Sequence, residues 1–550
     1  MADILTPFSL WNDFNLTLPL KESKINVVSL GMVDYNYIYF SGRQTDKGRV
    51  RIYGLYAKQK ANSKGSILIL PDCDSSIDEE FVLYFVKQGY DVLFIDYCGE
   101  REGVKNFTKY PSDISYANYH SSGRTFYFAD KTAKETCWYE WTAVARYALN
   151  FLQENNPNKK ISAIGIKYGA NVLWQLAGID KRISSAIFLF GAGWLAYKDV
   201  DKRSDAEIEM NDERFRFLAA VDAQAYAQYV ECPVLFLGST NNAEFNPERA
   251  VDTLSRINNQ KNVNFNFIPS SIDVLDDECL KNVDIFLKKH LANEKLRLPE
   301  QPQLEVEFND GVINYNINYS NKSDVENVKL LTSFNDSDHL FRVWYDVLPI
   351  GADKNGKNVY KFKPKNSLKS ILTYVIVRYK NGYTVSSRFV YKKIDLKIDA
   401  KIPNILFNAD NNLIEFLATD IKSPLICDVF TTENLYKLIE GPNGIKGLST
   451  VNAITTYSIR SLANNFSENS FIKFDVYASE FTSLDVVLND GNNDYSYVVN
   501  VTGGEVWQNV MTEFSDFKND KGLPIEDFTK IISVTFKSIG KFAINNILVL

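Results

Sequence analysis

Short apolar runs alternate with amphipathic stretches along the first 290 residues of the chain. Residues 49–57 (RVRIYGLYA) alternate like a strand. Residues 66–70 (SILIL), 91–96 (DVLFID), 161–166 (ISAIGI), 185–190 (SAIFLF), 233–238 (PVLFLG) and 263–268 (VNFNFI) are the short apolar runs found in strands buried on both faces. Helical patterns lie between them. Residues 78–88 put Phe81, Tyr84 and Phe85 on one face, and 134–155 space Trp138, Trp141, Ala145, Ala148 and Leu152 by three and four. Further helices are expected at 247–257 and 278–291, and the segment before Arg49 reads as an extended N-terminal region. Such alternation predicts a mostly parallel sheet with helices on both faces, spanning a first domain of residues 1–296.

The pattern changes at ANEKLRLPEQPQ, where Pro299 and Pro302 break any helix. From there a period of two takes over, in Leu304, Val306, Phe308 and in Ile313, Tyr315, Ile317, Tyr319. Asn381-Gly382, flanked by ILTYVIVRY and YTVSSRFVY, is a strong hairpin signal. Residues 297–393 are therefore expected to form an immunoglobulin-like β-sandwich of about seven short strands, with Trp344 as a core anchor. A third all-β domain is expected at 394–550, with strand-like runs NLIEFLA, FIKFDVYA, SLDVVLND, YSYVVNV, KIISVTFKS and KFAINNILVL.

Residues 161–176, ISAIGIKYGANVLWQL, pass from a strand through Gly165 and Gly169 into a helical pattern of Val172, Leu173 and Leu176. This stretch resembles the nucleophile elbow G-x-S-x-G of α/β hydrolases, in which the glycines leave room for a strained turn that presents a serine. QGYDVLFIDYCGE (88–100) and CPVLFLGST (232–240) are similar to the strand and D-x-x-G loop, and to the strand before the triad acid, of acetyl-xylan-esterase and dienelactone-hydrolase types. The resemblance implies an α/β-hydrolase fold and ester hydrolysis through a serine, a histidine and a carboxylate. Those residues are not in place. Lys167 stands at the nucleophile position, the acid loop reads Ser239-Thr240-Asn241-Asn242-Ala243-Glu244, and the histidine loop, PSSIDVLDDEC (269–279), holds no histidine. Glu244 and His120 are the remaining candidates for acid and base, since His290 falls at the end of a helix and His339 in another domain. Lys167 could be a nucleophile if desolvated, or a filler paired with Asp72, Asp74 or Asp273; the second is favoured, because a charged partner keeps a lysine inert. Residues 100–130 and 191–227, rich in aromatics, interrupt the alternation where such folds bind ligands.

The third domain resembles jelly-roll carbohydrate-binding modules in FIKFDVYASE, VVLNDGNNDYSYVVNV, GGEVWQNVMTEFSDFKND and the closing KFAINNILVL. That resemblance implies glycan binding by aromatic stacking, with Tyr457, Arg460, Tyr495, Tyr497 and Trp507 as candidates. It also implies a structural calcium, which the pair Asn545-Asn546 disfavours by standing where a carboxylate is expected.

Composition narrows the partners. A net charge of −7 over 550 residues gives no basic patch for nucleic acid, and no stretch approaches the 18 apolar residues of a membrane span. Six cysteines lack C-x-x-C spacing and read as buried thiols, and three histidines are too few for a His/Cys metal cluster, so no metal or other cofactor is expected. No basic segment followed by an apolar run opens the sequence, which reads as cytoplasmic, or as extracellular if a leader has been removed. The reading is of a non-catalytic, esterase-like multidomain protein that binds a glycan or a protein partner. Its alternatives are a carbohydrate esterase or other α/β hydrolase with a non-standard site, and a structural or assembly protein.

Overall fold

The computed structural model describes residues 4–198, 200–204, 207–242, 244–269, 273, 275–335, 339–340, 342, 344–352, 358–364, 367–398, 404–409, 436–450 and 453–550. In the N-terminal part a nine-stranded sheet runs in the order β1 (Ser23–Leu30), β2 (Val33–Thr45), β3 (Gly48–Gln59), β5 (Asp91–Asp96), β4 (Ser66–Leu70), β6 (Ile161–Ile166), β7 (Ile183–Leu189), β8 (Val234–Ser239) and β9 (Val263–Ile268). Strands β4 to β9 are mutually parallel, while β1, β2, β3 and β5 pair antiparallel in that order. The apolar runs of β4 and β5 are buried along their whole length, as strands with helices on both sides must be. The helices are α1 (Pro7–Trp11), α2 (Glu79–Val86), α3 (Cys137–Asn155), α4 (Tyr168–Ile179), α5 (Asp212–Ala220), α6 (Ala223–Tyr226), α7 (Pro247–Ser255) and α8 (Asp277–His290). Asp78, Thr136 and Asp276 cap α2, α3 and α8, each accepting a backbone N–H of the first turn. Trp138, Trp141, Ala145, Ala148 and Leu152 all lie in the core on α3.

The N-terminal region before Arg49 is extended in β1 and β2, and it also holds the short helix α1. All eight residues of β1 are exposed, so no buried face imposes an alternation that a sequence pattern can report.

Two antiparallel sheets follow and share one core. The first holds Gln303–Asn309, Val312–Asn318, Gly351–Ala352 and Asn358–Phe362; the second holds Val325–Phe334, Tyr345–Asp346, Leu368–Tyr379, Thr384–Ser386 and Val390–Leu396. At Asn381-Gly382, Gly382 adopts φ +85° and its N–H donates to the Tyr379 carbonyl, closing the hairpin between Leu368–Tyr379 and Thr384–Ser386. This sandwich packs against the N-terminal part: Trp344, Tyr374, Leu331 and Leu372 belong to the same apolar core as α3 and α4. Asn282 of α8 exchanges two hydrogen bonds with the Thr384 backbone, at 2.9 and 2.8 Å.

The C-terminal part again packs two antiparallel sheets on one core. One contains Asn404–Phe407, Tyr436–Glu440, Lys446–Thr450, Phe471–Tyr477, Gln508–Glu513 and Phe542–Val549; the other contains Ala453–Thr456, Thr482–Asn489, Asp494–Val501 and Ser533–Ser538. The expected strand NLIEFLA (412–418) and Cys427 lie outside the described residues. Cys73, Cys98, Cys137 and Cys279 are buried free thiols, and Cys232 is half-buried and free. Among the described residues no helix is long and apolar enough to cross a membrane.

Candidate functional site

Between β4 and β6 the sheet changes its winding direction, since β5 is added on one side of β4 and β6 on the other. The loops after these two strands form the crevice where ligands of open α/β sheets sit. Lys167 occupies the turn between β6 and α4 at φ 49°, ψ −112°, a left-handed conformation that side chains with a Cβ rarely adopt. Two glycines make the turn possible. A Cβ on Gly165 would stand 2.5 Å from the Gly169 carbonyl oxygen, and one on Gly169 would stand 2.2 Å from the carbonyl oxygens of both Leu70 and Pro71. The strained strand-to-helix turn of a nucleophile elbow is therefore present, with lysine where the family pattern has serine. Because that φ is held at a cost of about 1–2 kcal/mol, the Lys167→Gly variant is expected to be more stable than Lys167→Ala by roughly that amount. Equilibrium urea unfolding of the pair measures the strain with the charge removed from both.

Charge fills the crevice. The Lys167 ammonium lies 3.6 Å from Asp72 Oδ2, in the loop after β4. The other oxygen, Asp72 Oδ1, accepts the N–H of Cys73 at 2.9 Å and of Tyr168 at 3.4 Å. Burial pushes the Asp72 carboxyl up, and Lys167 and the two amides pull it back. On the other side stands Asp273, from the loop after β9. Its Oδ1 accepts Ser239 Oγ at 3.0 Å and Asn242 Nδ2 at 2.6 Å, and its own N–H donates to Ser239 Oγ at 2.9 Å. Burial drives Asp273 up to about 7, against the pull of Lys167 and Ser239 and reinforced by the charges of Asp72 and Glu244. The three loops that would bring nucleophile, acid and base together thus bring a lysine, a serine with an asparagine, and an aspartate.

The other candidate residues lie apart from this cluster or are committed elsewhere. Glu244 bonds the Tyr168 hydroxyl and pairs with Lys198 at 3.1 Å. His120 is exposed on a short 3₁₀ turn in the 100–130 insertion. His290 packs on Phe286 at the end of α8, where burial and the cations Lys289 and Lys160 drive it down to about 4. His339, set aside in the sequence because of its domain, comes closest in connectivity. It accompanies Asn241, whose amide donates to the carbonyls of Leu340 and Arg342 at 3.1 and 2.8 Å. No local spacing could have announced this, since 93 or more residues separate His339 from its side-chain partners Asn246 and Asp201.

In the C-terminal part Tyr457 and Tyr495 are buried in the core and present no ring face to a ligand. Tyr497 is half-buried beside Phe517, and Arg460 is half-buried on a 3₁₀ turn. Trp507 lies over Gly441 and Gly447 with Tyr477 beside it, ring centroids 5.6 Å apart. Tyr477 carried no signal in the sequence beyond a place in an alternating strand. At the pair Asn545-Asn546, Asn546 Nδ2 donates to Asp475 Oδ2 at 2.6 Å, and Asn545 Oδ1 accepts the Ala409 N–H at 2.8 Å. Among the described residues no three His, Cys, Asp or Glu side chains converge as metal ligands.

No family model matches the sequence, and no curated protein matches it. Among solved structures, the chain is similar to acetyl xylan esterase 1 from a Thermoanaerobacterium species, at 15% identity and TM-score 0.38 over 53% of this chain and 95% of that one. It is also similar to an acetyl xylan esterase from a Paenibacillus species, at 15% identity and TM-score 0.39 over 52% and 92%. A third is a putative dienelactone hydrolase from Klebsiella pneumoniae, at 10% identity and TM-score 0.31 over 44% and 94%. The strand order, the parallel run β4 to β9 and the elbow make the N-terminal part α/β-hydrolase-like.

Proposed function

We propose that the chain is a multidomain, non-catalytic relative of the esterases that works by binding a glycan or a protein partner, its elbow holding a fixed ion pair. Asp72 carries this reading. In hydrolases of this fold the N–H after the nucleophile and an N–H from the loop after the equivalent of β4 receive the oxyanion of the tetrahedral intermediate. Here the corresponding N–H groups, of Tyr168 and Cys73, are engaged by the Asp72 carboxylate, and the cation beside them is Lys167. An acyl oxyanion arriving there would meet a negative charge already in its seat. For the glycan, the supporting feature is the Trp507–Tyr477 pair in a β-rich module of jelly-roll type.

A second reading, a carbohydrate esterase or other α/β hydrolase with a non-standard site, is favoured by one observation. Four non-glycine residues with left-handed φ, Lys167, Phe190, Trp194 and Asp273, lie in loops leaving the carboxyl ends of β6, β7 and β9, and such strain gathers where chemistry or binding is done. In this reading the chain shares the class of the esterases and hydrolases named above.

Assay of the full chain on p-nitrophenyl acetate and acetylated xylo-oligosaccharides separates the two. The expected result is no turnover above buffer, and none in Lys167→Ser either, because no histidine is placed to accept the serine proton. Turnover abolished by Lys167→Ala or Asp273→Asn would establish the second reading and sink the first. Binding of the full chain on a glycan array, weakened by Trp507→Ala, supports the glycan; failure on all common plant and bacterial polysaccharides moves the assignment to a protein partner.

A further inference from the structure

Where the middle sandwich meets the N-terminal part, a buried histidine is held between two acceptors. His339 Nδ1 lies 2.6 Å from Asp201 Oδ1, in the 191–227 insertion, and His339 Nε2 lies 2.7 Å from the backbone oxygen of Asn242, in the loop after β8. A carbonyl oxygen accepts only, and so does an ionised carboxylate, so each ring nitrogen must bring a proton. Asn246 Nδ2 also lies 3.3 Å from His339 Nδ1, a longer approach than its bond to Asp201. Its Oδ1 accepts the N–H groups of Glu248 and Arg249, which fixes the amide, and its Nδ2 donates to Asp201 Oδ1 at 2.7 Å. The ring therefore sits in the geometry of an imidazolium, and its surroundings fit that charge. Burial pushes the Asp201 carboxyl up, but the bond and charge of His339, with Arg342, outweigh it and hold Asp201 low. Among the described residues, charged groups packed around the pair include Arg342 on the histidine's own segment, Glu248 and Arg249 on α7, and Arg203. Among the described residues, Arg342 and Arg203 both bond Glu248, at 3.0 Å each.

We propose that His339 is a proton-dependent latch: as imidazolium it pins the segment carrying His339, Leu340, Arg342 and Trp344 onto the loop after β8, and loss of one ring proton releases it. A neutral ring can satisfy Asp201 or Asn242 but not both, and the deserted nitrogen then faces an acceptor lone pair at hydrogen-bond distance. Release reaches the elbow through one residue. The Asn242 that receives His339 on its carbonyl holds Asp273 with its side chain, and Asn241 beside it holds the Leu340 and Arg342 carbonyls. The latch thus couples the seating of the second domain to the charge cluster around Lys167.

The test uses the whole 550-residue chain labelled with ¹⁵N in its three histidines. His120→Asn and His290→Asn assign the ring signals. At pH 5 both ring nitrogens of His339 are expected to be protonated. On raising the pH through the His339 titration, amide exchange at His339, Leu340 and Arg342, corrected for its intrinsic pH dependence, is expected to quicken about tenfold. In His339→Gln the step disappears and these amides exchange fast throughout. A singly protonated ring at pH 5, a titration with no change in exchange, or a ring that keeps both protons up to global unfolding each overturns the latch. These readings come from the wild-type protein, so they stand even if His339→Gln fails to fold.

Discussion

Gly169→Ala is expected to leave little folded protein. The added Cβ would lie 2.2 Å from two backbone oxygens, those of Leu70 and Pro71. Backbone oxygens cannot turn aside as a side chain can. Leu70 ends a strand buried along its length between β5 and β6, and Gly169 opens a helix whose residues through Gly178 are buried. Relief would need β4 and α4 to part, which exceeds the roughly 1–3 kcal/mol of an ordinary overpacked core. Circular dichroism and the yield of soluble protein measure the outcome. A variant with wild-type unfolding midpoint would mean that α4 does not press on the end of β4, and the elbow geometry would fall with it.

That contact shows what kind of feature can be read from residues alone. Two glycines four apart, between an apolar run and a helical pattern, state a steric requirement in sequence, and the turn follows from it. The loops that face the elbow were legible for the same reason, because the strand ends fix which loops reach it. The filling of the crevice was not legible in detail. Asp72 reaches Tyr168 across 96 residues and Asp273 reaches Ser239 across 34, so proximity depends on strand order. Three aspartates offered themselves as partners for Lys167; only the structure shows Asp72 in contact, Asp273 acting through its field, and Asp74 exposed. His339 was hidden more deeply, since a domain boundary in sequence conceals which loop of one domain is seated in the other.

In the β-rich parts the limit was which face of a strand points inward. Period-two alternation says that two faces differ but not which one is covered, nor how fully each ring on it is covered. Tyr495 and Tyr497 share the inward face of one strand, the first buried and the second half-buried, while Ser496 and Val498 face outward. Trp507 precedes its strand, and its place over two glycines depends on Gly441 and Gly447 lying some sixty residues earlier.

Asp273→Asn is expected to stabilise the protein, by an amount that grows with pH. A carboxyl whose folded value is raised, here from 3.8 to about 7, contributes fully below 3.8, where folded and unfolded chains are both protonated. Between 3.8 and about 7 the unfolded chain has released its proton and the folded one has not, so stability falls as pH rises, and it levels off above 7. At about 1.4 kcal/mol per pH unit the loss approaches an upper limit of about 4 kcal/mol. Asparagine keeps an oxygen for Ser239 and Asn242 but carries no charge to desolvate. Urea unfolding from pH 4 to pH 8 should therefore show the variant and wild type together at the acid end and diverging in the variant's favour above it. A variant less stable than wild type at pH 8 would mean that Lys167 depends on the charge of Asp273 as well as that of Asp72, and that the ion pair is shared. The expected gain bears on function. A buried carboxylate beside a strained lysine is a local cost, and proteins tolerate such costs where a site has a use. The gain and the ligand therefore belong in one experiment: if Asp273→Asn is more stable but binds the wild-type protein's ligand no differently, the use lies away from the elbow, in the β-rich parts of the chain.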